Sequence, residues 1–230
     1  MVAVLPEPPL LLPELATGAS AETAALRDAC QEAAGRLGAA ARSWIAVGAD
    51  AGGRRTVAPG ARGSFVGFGV DVVVGLSPDA AGAVDPDLPL PLLVAGWARA
   101  GMDVSIRGEL VAPDADPASC AALGAALAEE QVGLLVVGDG AAMHGEKAPG
   151  YRDERADPFD AAVAAALRDA DPAALAALDP DVALQLWVSG RAPWQVLAGA
   201  TRGRPWRAEL LHSSMPFGVA YHVAVWEPCG

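Results

Sequence analysis

The segment Val136-Val137-Gly138-Asp139-Gly140-Ala141-Ala142-Met143-His144-Gly145 concentrates the candidates for chemistry. Imidazole is the side chain whose ordinary pKa lets it give and take a proton near neutral pH, and the chain has only three histidines. His144 therefore reads as a candidate acid or base, with Asp139 close by in sequence. The uncharged run Gly133–Val137 reads as a buried strand. Gly138-Asp139-Gly140 breaks it with a sharp turn, because glycine takes backbone conformations that other residues resist. In open α/β sheets, ligands and catalytic groups collect in the crevice beyond the carboxyl ends of the strands. Lys147, the only lysine, follows that turn and is a candidate anion contact. The plainer reading is a polar loop whose His144 and Lys147 face water.

The elements that must position this turn follow from periodicity and punctuation. Val2–Leu5, Trp44–Val47, Val66–Leu76 and Asp103–Arg107 read as strands, and Asp50–Gly63, rich in Gly and Arg, as a long loop. A helix is expected from a cap at Ser20 to about Arg42, with Glu22 near its positive dipole end. Leu92–Ala100 looks helical. Asp116-Pro117 opens a helix to about Glu130, since aspartate caps and proline suits the first helical position. The same dipeptide at Asp157-Pro158, Asp171-Pro172 and Asp179-Pro180 predicts three successive short helices, followed by Pro193–Ala200, with these aspartates structural. Arg207–Ser213 and Val219–Trp226 read as a hairpin around Met215–Gly218. Alternating strands and helices imply a three-layer α/β sandwich, and the final hairpin makes its central sheet mixed. No linker separates two cores, so residues 1–230 read as a single domain.

Composition narrows the function classes. A hydrophobic content of 53% supports a large core, and no apolar run is long enough for a membrane-spanning helix. No basic segment precedes the first apolar residues, so a secretory leader is not expected. Three scattered cysteines, Cys30, Cys120 and Cys229, fit reduced thiols in a cytoplasmic protein. A net charge of −12 argues against nucleic acid and anionic membranes as partners, both of which need a basic surface. Self-association is left open. His212 adjoins Ser213 and Ser214, which invites a serine-nucleophile reading, but the sharp elbow that exposes such a serine is missing. His222 alternates with Tyr221 and Val223 and reads as a packed or edge residue.

The ordered segments Leu5–Pro13, Ile45–Asp50, Val137–His144, Gly190–Trp194 and Phe217–His222 span nearly the whole chain. Together they resemble the class III extradiol dioxygenase superfamily, the LigB-like fold shared with the Memo proteins, and more narrowly its actinobacterial subunit-B-like members. The resemblance implies a LigB-like α/β fold and, for the family's enzymes, cleavage of catechol rings by Fe(II) held by two histidines and a glutamate. It also implies departures. Glu7 stands at the position of one ligand histidine, Asp50 in the turn that carries the other, and Arg191 at the ligand glutamate. Only His144 falls on a matching position, that of the acid/base histidine.

A guanidinium at a ligand position puts fixed positive charge where a dication would sit, and arginine does not usefully deprotonate. The resemblance therefore implies no metal or cofactor, with Arg191 paired to Glu7 or Asp50 in its place. Glu7, Asp50, Asp139, Lys147, Arg191 and Trp194 would line a cleft for a small anionic or aromatic ligand or a partner protein, making the chain a pseudoenzyme candidate. The alternative is an active ring-opening dioxygenase or other metal-assisted enzyme, using Fe(II) or another divalent cation with unusual ligands. There His144 would move the proton of the catechol hydroxyl.

Overall fold

The computed structural model of this chain describes residues 1–16, 18 and 20–229, Ser20 by its backbone alone. Seven strands form the central sheet in the order β3-β7-β2-β8-β1-β10-β9. They are β1 (Val2–Leu5), β2 (Ser43–Ala49), β3 (Arg55–Val57), β7 (Ser105–Val111), β8 (Gly133–Val137), β9 (Trp206–Ser214) and β10 (Tyr221–Pro228). The four inner strands β7, β2, β8 and β1 run parallel, while β3, β10 and β9 add antiparallel margins. The sheet is mixed, as expected. A second sheet, in the order β5-β4-β6, joins β4 (Arg62–Ser64), β5 (Val73–Gly75) and β6 (Val84–Asp85).

Side chains alternate across a strand, so an apolar run buried on both faces feeds two cores at once. Ala3, Leu5, Trp44, Ala46, Leu135 and Val137 face one core. Val2, Val4, Ile45, Val47, Leu134 and Val136 face the other. The first core is closed by α1 (Ser20–Ala40), through Leu26, Cys30 and Leu37, and by α2 (Leu90–Ala98). The second is closed by α3 (Pro117–Ala128), α4 (Ala156–Asp169), α5 (Pro172–Ala176), α6 (Pro180–Gln185) and α7 (Arg191–Thr201). The result is a three-layer α/β sandwich. At its β9 edge, Arg36 of α1 bridges Glu209 and Glu227 at 2.8 and 3.0 Å. Cys30 and Cys120 are buried thiols and Cys229 an exposed one. Among the described residues no helix is long and apolar enough to cross a membrane.

Several local expectations need correction. The cap expected of Ser20 lies outside the described residues. The strand expected over Val66–Leu76 shrinks to β5, because Phe65–Phe68 forms a 3-10 turn. Ser64 caps that turn by accepting from Val66 N, and Gly69 ends it at φ 102°, a left-handed conformation suited to glycine. The loop expected over Asp50–Gly63 contains β3 and most of β4. Of the Asp-Pro pairs, Asp116, Asp171 and Asp179 cap their helices through backbone N–H groups. Asp157 does not, because α4 begins one residue earlier and leaves its carboxylate in the first turn.

Helices α3 and α7 touch backbone to backbone. A Cβ on Gly124 would lie 2.0 Å from the Val196 carbonyl oxygen, and one on Gly199 would lie 2.3 Å from that of Ala121. Alanine favours an isolated helix over glycine by about 1 kcal/mol, but here the two backbones must separate to admit it. Gly124→Ala is therefore expected to destabilise the protein, by about 2 kcal/mol. Urea denaturation checks this, and an unchanged or raised midpoint would contradict the close contact.

Candidate functional site

Strands β1 and β8 lie side by side, and pairing continues one step past them where Gly138 N donates to Leu5 O at 3.0 Å. Both chains then turn away and open a crevice at their carboxyl ends. Glu7 N donates to Asp139 Oδ1 at 2.7 Å. Asp139 N donates to Ser189 Oγ at 2.8 Å, and Gly190 N to the Asp139 carbonyl at 2.9 Å. Glycine is required at 138, where a Cβ would lie 2.5 Å from Gly190 Cα. Three remote segments are thus laced together by backbone and side-chain hydrogen bonds, and Glu7, Asp139 and Ser189 meet.

The Glu7 side chain is buried, and its Oε2 has no hydrogen-bond partner. Burial raises its pKa to about 7, against a smaller opposing pull from the Ser189 hydroxyl. Asp139 is raised well above the ordinary carboxylate range, first by desolvation and then by the neighbouring Glu7 charge. The two carboxyl groups resist ionising together, so near neutral pH the pair retains a proton.

Past Gly140 the same turn enters a second cluster. Asp160 of α4 has no exposed side-chain surface. Its Oδ2 accepts from Ala141 N at 3.0 Å and lies 2.6 Å from His144 Nε2, while its Oδ1 lies 3.3 Å from His222 Nε2. The other nitrogen of His144 lies 2.9 Å from Asp157 Oδ1, and that of His222 lies 3.0 Å from Ser213 Oγ. A Cβ on Gly140 would lie 2.2 Å from Asp160 Oδ1, so the turn passes directly over the carboxylate. His144 has both nitrogens engaged by carboxylates, and to act as an acid or base it must release one of them. The residue lines a hollow of about 290 Å³ with Lys147, Ala148, Met215 and Phe217.

The remaining candidates lie elsewhere. Asp50 pairs with Arg55 at 3.4 Å beyond β2. Trp194 is fully buried, with its ring 6.2 Å from that of His222, and fills the core instead of lining a cleft. The expectation that Arg191 pairs with Glu7 or Asp50 is corrected. Arg191 opens α7 beside the Asp139 turn, but its buried guanidinium donates to the carbonyls of Pro113 and Ala115 and to Gln195 Oε1. The loop before α3 converges those carbonyls on it, so Arg191 satisfies backbone acceptors and pairs with no carboxylate among the described residues.

Sequence reasoning missed Asp160, Asp157, Ser189 and His222 as partners. Asp160 carried a usable signal, since it falls on the buried stripe Ala156, Asp160, Val163 and Leu167 of α4, where a charge needs a reason. Ser189 and the pairing of His222 carried none, because their partners are distant in sequence.

No protein-family model matches the chain, and no curated protein sequence matches it. Its fold is similar to the crystal structure of the uncharacterized protein JW3007 from Escherichia coli K12, with a TM-score of 0.52 and 14% identity over 98% of each chain. At that identity the likeness shows the fold.

Two outcomes are expected of this geometry. Arg191→Ala orphans buried carbonyls and should destabilise the fold by about 3 kcal/mol. Combined with Glu7→Ala, its effect should add to within about 0.5 kcal/mol; a larger coupling in thermal melts would restore a direct link between the two residues. Glu7 has a folded pKa of about 7 against 4.5 unfolded, so its contribution is full below pH 4.5 and is lost as pH rises through 7. Glu7→Gln should therefore gain on the native protein by about 3 kcal/mol between pH 4.5 and pH 8. Denaturant midpoints at the two pH values measure this, and a pH-independent difference would refute it.

Proposed function

We propose that this chain is a LigB-like relative of the extradiol dioxygenases in which an acid pair takes the place of the iron site, and that it binds a small ligand in the crevice at the carboxyl ends of β1 and β8. The carrying observation is Glu7, a buried carboxyl group with one oxygen unpartnered, beside Asp139 at the position where the resemblance implies a ligand histidine. The side chains present do not suit two histidines and a carboxylate around Fe(II). Glu7 and Asp139 are acids that hold a proton, Asp50 pairs with Arg55, and the nearby His144 and His222 are both turned to Asp160.

The acid pair also refines the ligand. A second anion beside Glu7 and Asp139 would be repelled, whereas the hydroxyl of a neutral aromatic gives Glu7 Oε2 the hydrogen bond it lacks. Ser189 lies on the wall of an adjoining hollow of about 280 Å³ formed with Pro113, Leu184, Trp187 and Val188. That wall is apolar enough to take a ring, and 58% of Trp187 is exposed for stacking. The positive charge of Lys147 lies at the separate His144 hollow.

The reading of an active, metal-assisted enzyme is separated from this one by anaerobic Fe(II) reconstitution followed by oxygen-uptake assays with a protocatechuate-type catechol. No stoichiometric iron and no ring cleavage are expected. One tightly held iron per chain, with turnover lost in His144→Ala, would reverse the conclusion.

A further inference from the structure

We infer that Ser213 is an activated nucleophile that takes the acyl group of a small activated ester, with His222 as its general base and Asp160 as the carboxylate that orients the base. The inference concerns the β9–β10 hairpin and stands apart from the acid-pair crevice. Ser213 and His222 are cross-strand partners, and Ser213 is exposed while His222 and Asp160 are buried. Ser213 Oγ lies 3.0 Å from His222 Nδ1, and His222 Nε2 lies 3.3 Å from Asp160 Oδ1. A nucleophile touching a base that is itself held by a third group is the arrangement that activates serine, and it is recognised by geometry, not by sequence order.

The proton positions follow from the hydrogen-bond network. Asp160 takes an N–H from Ala141 and faces ring nitrogens of both His144 and His222. An ionised carboxylate accepts all three as donors. His222 then carries its proton on Nε2, leaving Nδ1 as an acceptor, so the Ser213 hydroxyl donates to it. His144 lies between Asp160 and Asp157, and its ring nitrogen takes Asp160 Oδ2 while Oδ1 is left to His222. The neighbouring Ser214 hydroxyl bonds His212 Nε2 at 2.7 Å, but no carboxylate pairs with His212 among the described residues.

In the reaction, Ser213 Oγ attacks the ester carbonyl carbon as its proton passes to His222 Nδ1. The bond from that carbon to the leaving oxygen breaks, and His222 returns the proton to the departing alcohol. Water then repeats the sequence on the acyl-serine, releasing the carboxylic acid and restoring Ser213.

The test incubates the full chain with p-nitrophenyl acetate and, separately, with a fluorophosphonate, followed by peptide mass spectrometry. Ser213→Ala, a surface change, should slow nitrophenolate release about 100-fold and abolish the phosphonate adduct. Ser214→Ala should leave both unchanged. Acylation confined to Lys147 or the Met1 amine, release unaffected by Ser213→Ala, or an adduct on Ser214 would each overturn the assignment.

Discussion

A carboxylate without exposed surface can persist in a fold only if donors surround it, and Asp160 draws them from two parts of the chain. Ala141 and His144 come from the turn after β8, and His222 from β10. The helix that carries Asp160 is thereby fixed to both at once. Asp157, one turn earlier on α4, takes the far side of His144. Removing any one partner would leave a buried charge short of compensation, the costly kind of change. The glycine at 140 belongs to the same constraint, because no larger residue fits above the carboxylate.

The turn that serves Asp160 also serves Glu7 and Asp139, and the two clusters keep their groups in opposite ways. Asp160 is ringed by a backbone N–H donor and two imidazole nitrogens. Glu7 and Asp139 face each other and keep a proton instead, and the charge on Asp160 adds to the upward push on Asp139. A short loop thus places a proton-retaining acid pair beside a carboxyl group held by two imidazole rings.

The sheet and its helices were legible in the sequence because two-faced apolar runs and Asp-Pro caps are local signals. The Gly138–Gly140 turn was legible for the same reason, and Glu7, Asp139 and His144 lie on or beside the strand ends it joins. What failed depended on tertiary contact. The residues 65–76 have strand-like composition, yet the Ser64 cap and the left-handed Gly69 close residues 65–68 into a 3-10 turn. Arg191 looked like a substitute for a metal's charge because its place in sequence adjoins the crevice, but side-chain direction is set by the packing of α7 against the loop before α3. His222 looked like an ordinary strand residue, since its meaning comes from an aspartate 62 residues away.

The rim where α1 meets β9 has a consequence for how copies of this protein behave together. An outermost strand is a template onto which another chain can add by backbone pairing. Here Arg36 spans Glu209 and Glu227, and Arg207 pairs with Glu227 at 2.7 Å. As solvent-exposed ion pairs these contribute little to folding stability. Their location matters more than their strength. An incoming strand would have to strip water and partners from a row of charges before forming its first hydrogen bond. The margin therefore resists sheet-to-sheet growth at the concentrations where crowded chains otherwise begin to fibrillise.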